Sequence, residues 1–386
     1  MKTKGRLVFM ARFSWNKLLA VIFSVIITAL HSSMAYAAED YIRINTYIDQ
    51  HPEQNSIMGK FAEIVRAPAT PITKSLKRPT RIAIIYPGLQ TSDYWRRSQN
   101  SFEHRMRNTR TPYELKSFFS RPSVDSALQS QQLSEALAWQ PDYLVFTLDT
   151  APQSRMIERI LARGTPKLIL QNITTPLLRW QTHPPFLYVG FDHAQGTRLM
   201  AEWMLNKIDH KGKYLMLYFS PGYVSQMRGD TFANEAAKHP DITQVAAYYT
   251  QGNRDKAYQA TLRTLQQHPD LKMIFANSTD VALGALQALR ETNRLDVLLN
   301  GWGGGEAELI ELQQKGLDVT VMRINDDNGI AMAEAIKLDQ QSQSEHIPHI
   351  FSGDIKLLTK DQLQADINQL KRQAFRLSNI PLEANQ

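Results

Sequence analysis

Short apolar runs recur along the chain, each closed by a turn and followed by a stretch with helical spacing. The first, residues 81–86 (RIAIIY), ends at Pro87-Gly88. Residues 143–146, 168–170 and 187–191 repeat the pattern, with 113–119 also extended. Between them, 93–108, 123–139 (Ser123 as the cap) and 156–163 read as helices. The runs are continuous rather than alternating, as expected of strands buried on both faces of a parallel sheet.

The pattern then restarts. Strands are predicted at 214–219, 243–249, 273–276, 297–299 and 319–322. Helices are predicted at 194–207, 228–238, 256–267, 280–290 and 326–338. A strand-plus-helix unit every 25–30 residues or so means βαβ crossovers. With one series before and one after about residue 193, the fold class is α/β: two doubly wound, Rossmann-like parallel-sheet lobes. Residues 38–80 form a polar, mixed preamble, whose end, 67–80, holds three prolines and reads as an extended arm.

Composition sharpens this picture. The chain has 386 residues, 43% hydrophobic and 21% charged, with no cysteine and a net charge of +7. The length favours two lobes over one core. The absence of cysteine excludes disulfide scaffolds, thiol nucleophiles, cysteine zinc sites and iron–sulfur clusters. The positive charge gathers at the start: Lys2, Lys4, Arg6, Arg12 and Lys17 precede a 13-residue apolar run, 18–30, and then Ala35-Tyr36-Ala37. That is the three-part pattern of a secretory signal, and the run is short for a membrane span. Cleavage after Ala37 takes five positive charges from +7, leaving +2 on 349 residues. A start at Met10 would shorten the leader from 37 residues to 28. The expected mature protein lies outside the cytoplasm, is not inserted in the membrane and carries no excess charge for nucleic acid.

In open α/β sheets ligands bind beyond the carboxyl ends of the strands. There the chain places Gln90, Ser92 and Trp95, then Asn172, Arg228, Thr279 with Asp280, Trp302 within a glycine run, and Arg323. An arginine directly at a strand end is costly to desolvate without an anionic partner. Aromatic rings, planar amides, hydroxyls and carboxylates together suit a small polyhydroxylated ligand held between lobes. No G-x-S-x-G elbow, phosphate loop or dinucleotide fingerprint is present. His346 and His349 lack a zinc-protease context, so no metal site is expected. Asp149, Asp192 and Asp280 fit hinge and ligand-bonding roles better than a glycosidase pair. A binding protein, not an enzyme, is the expectation.

These residues resemble the type I periplasmic binding proteins, and among them the receptors for autoinducer-2. The resemblance rests on Tyr86-Pro87-Gly88, Ser92-Asp93-Tyr94-Trp95 and the stretches 168–176, 187–193, 228–232, 278–284, 300–305 and 323–334. It runs from about Tyr41 to about Ser378. It implies a quorum-sensing receptor whose ligand is a cyclic furanosyl borate diester, with borate as part of the ligand and no separate cofactor. Gln90, Ser92, Trp95 and Asn172 would bind it from the first lobe. Arg228, Thr279, Asp280 and Trp302 would bind from the second, with Arg323 at a crossover. Arg228 and Arg323 would face the borate charge. Departures from the family pattern are Leu89, Asn277 and the longer leader. The family fold implies lobes of 38–192 plus 324–352 and 193–323 plus 353–386, closing on a hinge. Closure would be relayed to the periplasmic part of a membrane-bound hybrid sensor kinase. The rival reading is a sugar-binding component of an ABC importer. A LacI-type regulator shares the fold, but the export signal and the lack of a helix-turn-helix start argue against it.

Overall fold

A computed structural model of the protein describes residues 40–382. The expected leader, 1–37, lies outside the described residues. Among those residues no helix is long and apolar enough to cross a membrane.

The first sheet has six parallel strands: β1 (Thr80–Tyr86), β2 (Tyr113–Phe119), β3 (Tyr143–Thr147), β4 (Lys167–Gln171), β5 (Leu187–Phe191) and β11 (Ile350–Gly353). Their spatial order is β11-β5-β4-β3-β1-β2. The second sheet runs β7 (Ile242–Tyr249), β6 (Gly212–Tyr218), β8 (Leu271–Ala276) and β9 (Leu298–Leu299). Parallel bridges from Asn300 to Val319 and from Gly303 to Met322 join it to the antiparallel pair β10 (Val319–Arg323) and β12 (Ile355–Thr359). Both sheets are α/β and doubly wound, as the periodicity predicts.

The packing shows why the runs are continuous. Successive side chains of a strand point to opposite faces. In β1, Ile82, Ile84 and Tyr86 enter one core, and Ala83 and Ile85 the core on the other face. In β6, Leu215 and Leu217 face one core while Tyr214, Met216 and Tyr218 face the other. Each fully buried aliphatic side chain contributes about 1.5–3 kcal/mol.

Several expectations need correction. The preamble carries two helices that the pattern does not predict, α1 (Ile44–Gln50) and α2 (Pro52–Arg66). Ser123 caps no helix: its φ is +64°, and the helix Ser126–Ala138 begins after Asp125. The helix expected over 228–238 is a π-turn, Ser225–Asp230, followed by a short helix, Thr231–Ala236. The helix Glu306–Gln313 and strands β11 and β12 were not anticipated by the pattern.

The helix Asp326–Gln340 is buried from Asp326 to Leu338, wedged against the first sheet and the helix Tyr94–Asn108. The C-terminal helix Gln364–Ala374 packs on the second core through Ile367 and Ala374. The tail beyond it returns to the first lobe, where Asp326 accepts the Leu377 and Ser378 N–H groups at 2.7 and 2.8 Å.

Candidate functional site

The carboxyl ends of the two sheets face each other across a tight crevice of about 40 Å³. That is small for a ligand pocket, which ordinarily spans about 300–1,000 Å³. Eight of the nine expected residues line it: Gln90, Ser92, Trp95, Asn172, Arg228, Thr279, Trp302 and Arg323. The ninth, Asp280, sits at the mouth instead. Its Oδ1 accepts Thr91 Oγ1–H at 2.5 Å, and both carboxylate oxygens lie 3.2 Å from Thr91 N.

Each side chain is placed by local structure. The loop after β1 turns through Pro87 and Gly88 into the helix Tyr94–Asn108. Gln90 Nε2 donates to Pro87 O at 2.6 Å, which leaves the amide oxygen free of that bond. Asp93 does not cap the helix through its side chain; its carboxylate takes Arg97 Nε–H at 2.5 Å and reaches across to Glu306 N at 3.4 Å. Asn172 follows β4 with φ +69°, and its buried Oδ1 has no hydrogen-bond partner among the described residues. Arg228 rides on the π-turn, a form of helix often found at functional sites.

Trp302 forms a floor. His193 stacks on its ring at 4.9 Å with a 16° interplanar angle, and the Arg228 guanidinium lies 3.6 Å from its centroid. Arg228 Nε donates to His193 Nδ1 at 2.8 Å and Nη1 to Asn277 O at 2.6 Å. His193 is therefore neutral at Nδ1, and its Nε2–H points to Asn172 O at 3.1 Å. Burial, then the charges of Arg228 and Arg323, hold its pKa well below the ordinary histidine value. Arg323 stands over Tyr94 at 4.1 Å and gives only a long 3.4 Å bond, to Gly303 O. The glycine run is needed there: at Gly303 (φ +133°) a Cβ would come within 2.5 Å of Arg323 Nη2.

Electrostatically the crevice is unbalanced. Arg228 and Arg323 are both buried and form no ion pair with any described residue. Burial, followed by the neighbouring Arg323, pushes the Arg228 guanidinium well down from its usual value. Asp149, at the end of β3, also lines the crevice; burial raises its carboxyl to about 6 against the pull of Arg228. Sequence reading placed it at a strand end but not in the ligand set. Glu308 was missed altogether, because a glutamate in EAELIELQ looks like a surface acid. It is fully buried beneath Trp302 and Thr279.

The two lobes touch directly in this state. Ser220 Oγ donates to Ser123 Oγ at 2.7 Å, and a Cβ at Gly222 would strike Asp149 O at 2.0 Å. A strand-end crevice with neutral amides on one wall, guanidiniums on the other and aromatic rings between can hold a compact polar solute. Among the described residues no cluster of histidine and acidic side chains could hold a metal ion.

Comparison with known proteins agrees with this architecture. The ribose import binding protein RbsB of Bacillus subtilis is 25% identical over 239 residues, 61% of this chain and 74% of that protein. For the ribose import binding proteins of enteric bacteria the matched stretch spans 58% of their length. Among solved structures, an ABC transporter solute-binding protein from Agrobacterium vitis with bound α-D-tagatopyranose superposes with a TM-score of 0.66 at 19% identity, covering 75% of this chain and 98% of that one. The fructose-binding periplasmic domain of a hybrid two-component system superposes equally well, with a TM-score of 0.66 at 16% identity, 78% and 96% covered. The family model described as a periplasmic binding protein domain matches residues 82–343, more than half of the chain. The chain thus belongs to the type I periplasmic binding protein family, whose members bind solutes and do not transform them.

Proposed function

We propose that this protein binds a small, hydroxyl-rich ring carrying negative charge, and that the ligand is autoinducer-2 as its furanosyl borate diester, in the manner of LuxP. The observation that carries the reading is the pair Arg228 and Arg323: buried at 4% and 5% exposure, facing one crevice, with no ion-pair partner among the described residues. Two desolvated cations are costly unless an anion joins them, and charge-assisted bonds to that anion are the strong ones. Trp95 and Trp302 supply faces for a ring, and Asn172 Oδ1 is an orphan acceptor for a ligand hydroxyl.

Ligand bridging both walls favours the closed state by differential contact. The hinge belongs at the three chain crossings near Asp192, Arg323 and Ser352, which divide 38–192 plus 324–352 from 193–323 plus 353–386. The closed shape is relayed to the periplasmic part of a LuxQ-like hybrid sensor kinase. The protein is exported to the periplasm by the leader ending at Ala37.

A second reading has its own support. Its curated relatives include import binding proteins for ribose and D-apiose. Asp149, lying in the same crevice, offsets part of the Arg228 charge, which a neutral sugar would need. On that reading the chain delivers a pentose-like sugar to an ABC importer. Calorimetric titration with the autoinducer-2 precursor, with and without borate, and with D-ribose separates the two. The proposal requires tight binding that depends on borate. Equal affinity without borate sinks it, and tight binding of D-ribose alone replaces the borate ligand with a neutral sugar.

A further inference from the structure

The second-lobe wall is organised by Glu308, on the helix Glu306–Gln313, which has no solvent exposure. Its Oε1 accepts the Thr279 hydroxyl at 2.6 Å and Trp302 N–H at 3.0 Å. Its Oε2 accepts Gly304 N–H at 2.9 Å and the Thr320 hydroxyl at 2.6 Å. Four protein donors occupy the carboxylate, about the number of lone-pair sites it has, so it does not itself reach the ligand. Its effect on the crevice is indirect. A threonine hydroxyl carries one proton and two lone pairs. The Thr279 proton goes to Glu308, so toward the crevice Thr279 presents lone pairs only. Arg228 and Arg323, by contrast, present only N–H groups.

We propose that Glu308 is a positioning residue that fixes the hydrogen-bond polarity of the site. By taking the Thr279 proton it makes Thr279 an obligate acceptor. The ligand must therefore offer a hydroxyl to Thr279 while its charged oxygens face the two arginines. The arginine half rests on the anionic-ligand reading above; the Thr279 half holds equally for a neutral sugar. Glu308→Gln keeps the shape but replaces one oxygen with an NH2 group. Either amide orientation then sets that NH2 against a backbone N–H, of Trp302 or of Gly304, and the orientation that turns it to Trp302 also takes away the acceptor of the Thr279 proton.

The test is a double-mutant cycle on the full mature chain, read by calorimetry with the autoinducer-2 precursor in borate. Thr279→Val and Glu308→Gln should each weaken binding about tenfold, the scale of a hydrogen bond to a charged group or network. The double variant should bind no more weakly than the weaker single one, and Thr279→Ser should retain affinity. Fully additive losses, about a hundredfold in the double variant, overturn the proposal, because Glu308 would then act by packing alone. If the wild type binds D-ribose and not the borate adduct, the anionic reading fails, and the same cycle run on D-ribose still decides the role of Glu308. A ligand-free measurement covers variants that fail to fold. In the wild type, NMR should show a solvent-protected hydroxyl proton coupled to the Thr279 Cβ proton. A Thr279 hydroxyl proton in free exchange with water refutes the proposal.

Discussion

Two places in the molecule bury arginine to the same depth and treat it oppositely. Arg105 is 4% exposed, as is Arg228. Arg105 uses all three nitrogens: Nε bonds Glu334 Oε1 at 2.5 Å, Nη1 bonds Ala67 O and Nη2 bonds Ile64 O, each at 3.0 Å. Glu334 also pairs with Lys337 at 2.5 Å. That cluster joins the end of α2 to the helices Tyr94–Asn108 and Asp326–Gln340, and leaves nothing for a ligand. In the crevice, Arg228 donates only to a neutral histidine and a carbonyl, and Arg323 makes one long bond to a carbonyl. Burial by itself does not distinguish a structural cation from a ligand-binding one. The supply of partners does: a cation whose fork is full holds the fold, and one left short of acceptors awaits them from outside.

The sharpest way to break this contrast is to remove the partners where they exist. Glu334→Ala leaves Arg105 and Lys337 buried without a counter-ion, and should lower the unfolding free energy by about 3–5 kcal/mol. Ligand affinity of the folded fraction should not change. Urea unfolding together with calorimetry reads both; a stability loss under about 1 kcal/mol would mean that the filled fork is not structural. Arg228→Ala and Arg323→Ala should behave in reverse. Each should weaken ligand binding by about 1.5–3 kcal/mol. Ligand-free stability should hold or rise, since an uncompensated buried cation is removed. If neither changes affinity, the arginines are not the ligand's partners.

The contrast also marks where sequence reading succeeds. Strand ends announce themselves because two-sided burial makes each strand a continuous apolar run, and the crevice residues follow directly after those runs. Arg323, the last residue of its strand, stands out for that reason, whereas Arg228 lies ten residues beyond the end of β6. Helix α2 was not, because only Gln54, Phe61 and Val65 of its fifteen residues are buried, too sparse a stripe to stand out. Glu308 and Glu334 were invisible for a different reason. A buried carboxylate is recognised by the donors around it, and those come from distant segments: Thr279, Thr320 and Gly304 for one, Arg105 for the other. Ser123 misled because a serine ahead of an apolar stretch is a cap only when its backbone is extended, and here φ is +64°.

Asp149 lies between the two extremes, since it faces Arg228 without bonding it. Burial raises its carboxyl from 3.8 to about 6, so the folded protein holds the proton more tightly than the unfolded chain does. Its contribution to ligand-free stability is full below pH 3.8 and is lost as the pH rises through about 6. Asp149→Asn should remove that slope and gain about 1–2 kcal/mol of ligand-free stability at pH 8, because the costly buried charge is gone. Unfolding curves from pH 4 to pH 8 for both proteins check it. Identical slopes would show that Asp149 is already compensated, and that the crevice is less positive than its geometry indicates.

Asp280 tests the contrast at its weak end. It was expected to bind the ligand, yet its carboxylate is engaged at the mouth by Thr91, whose backbone N–H and hydroxyl belong to the opposite wall. It is half-buried, so water competes for the same bonds and each is worth little. Asp280→Asn should therefore weaken binding by only about 0.5–1 kcal/mol, through loss of a contact between the walls rather than a contact to the ligand. The signature is in the shape: small-angle scattering should show the ligand-free variant more open than the wild type, with the same compact form once ligand is saturating. A loss as large as that of Arg228→Ala would place Asp280 among the ligand's direct partners. The boundary between rim and site would then lie farther out than the crevice in its closed form suggests.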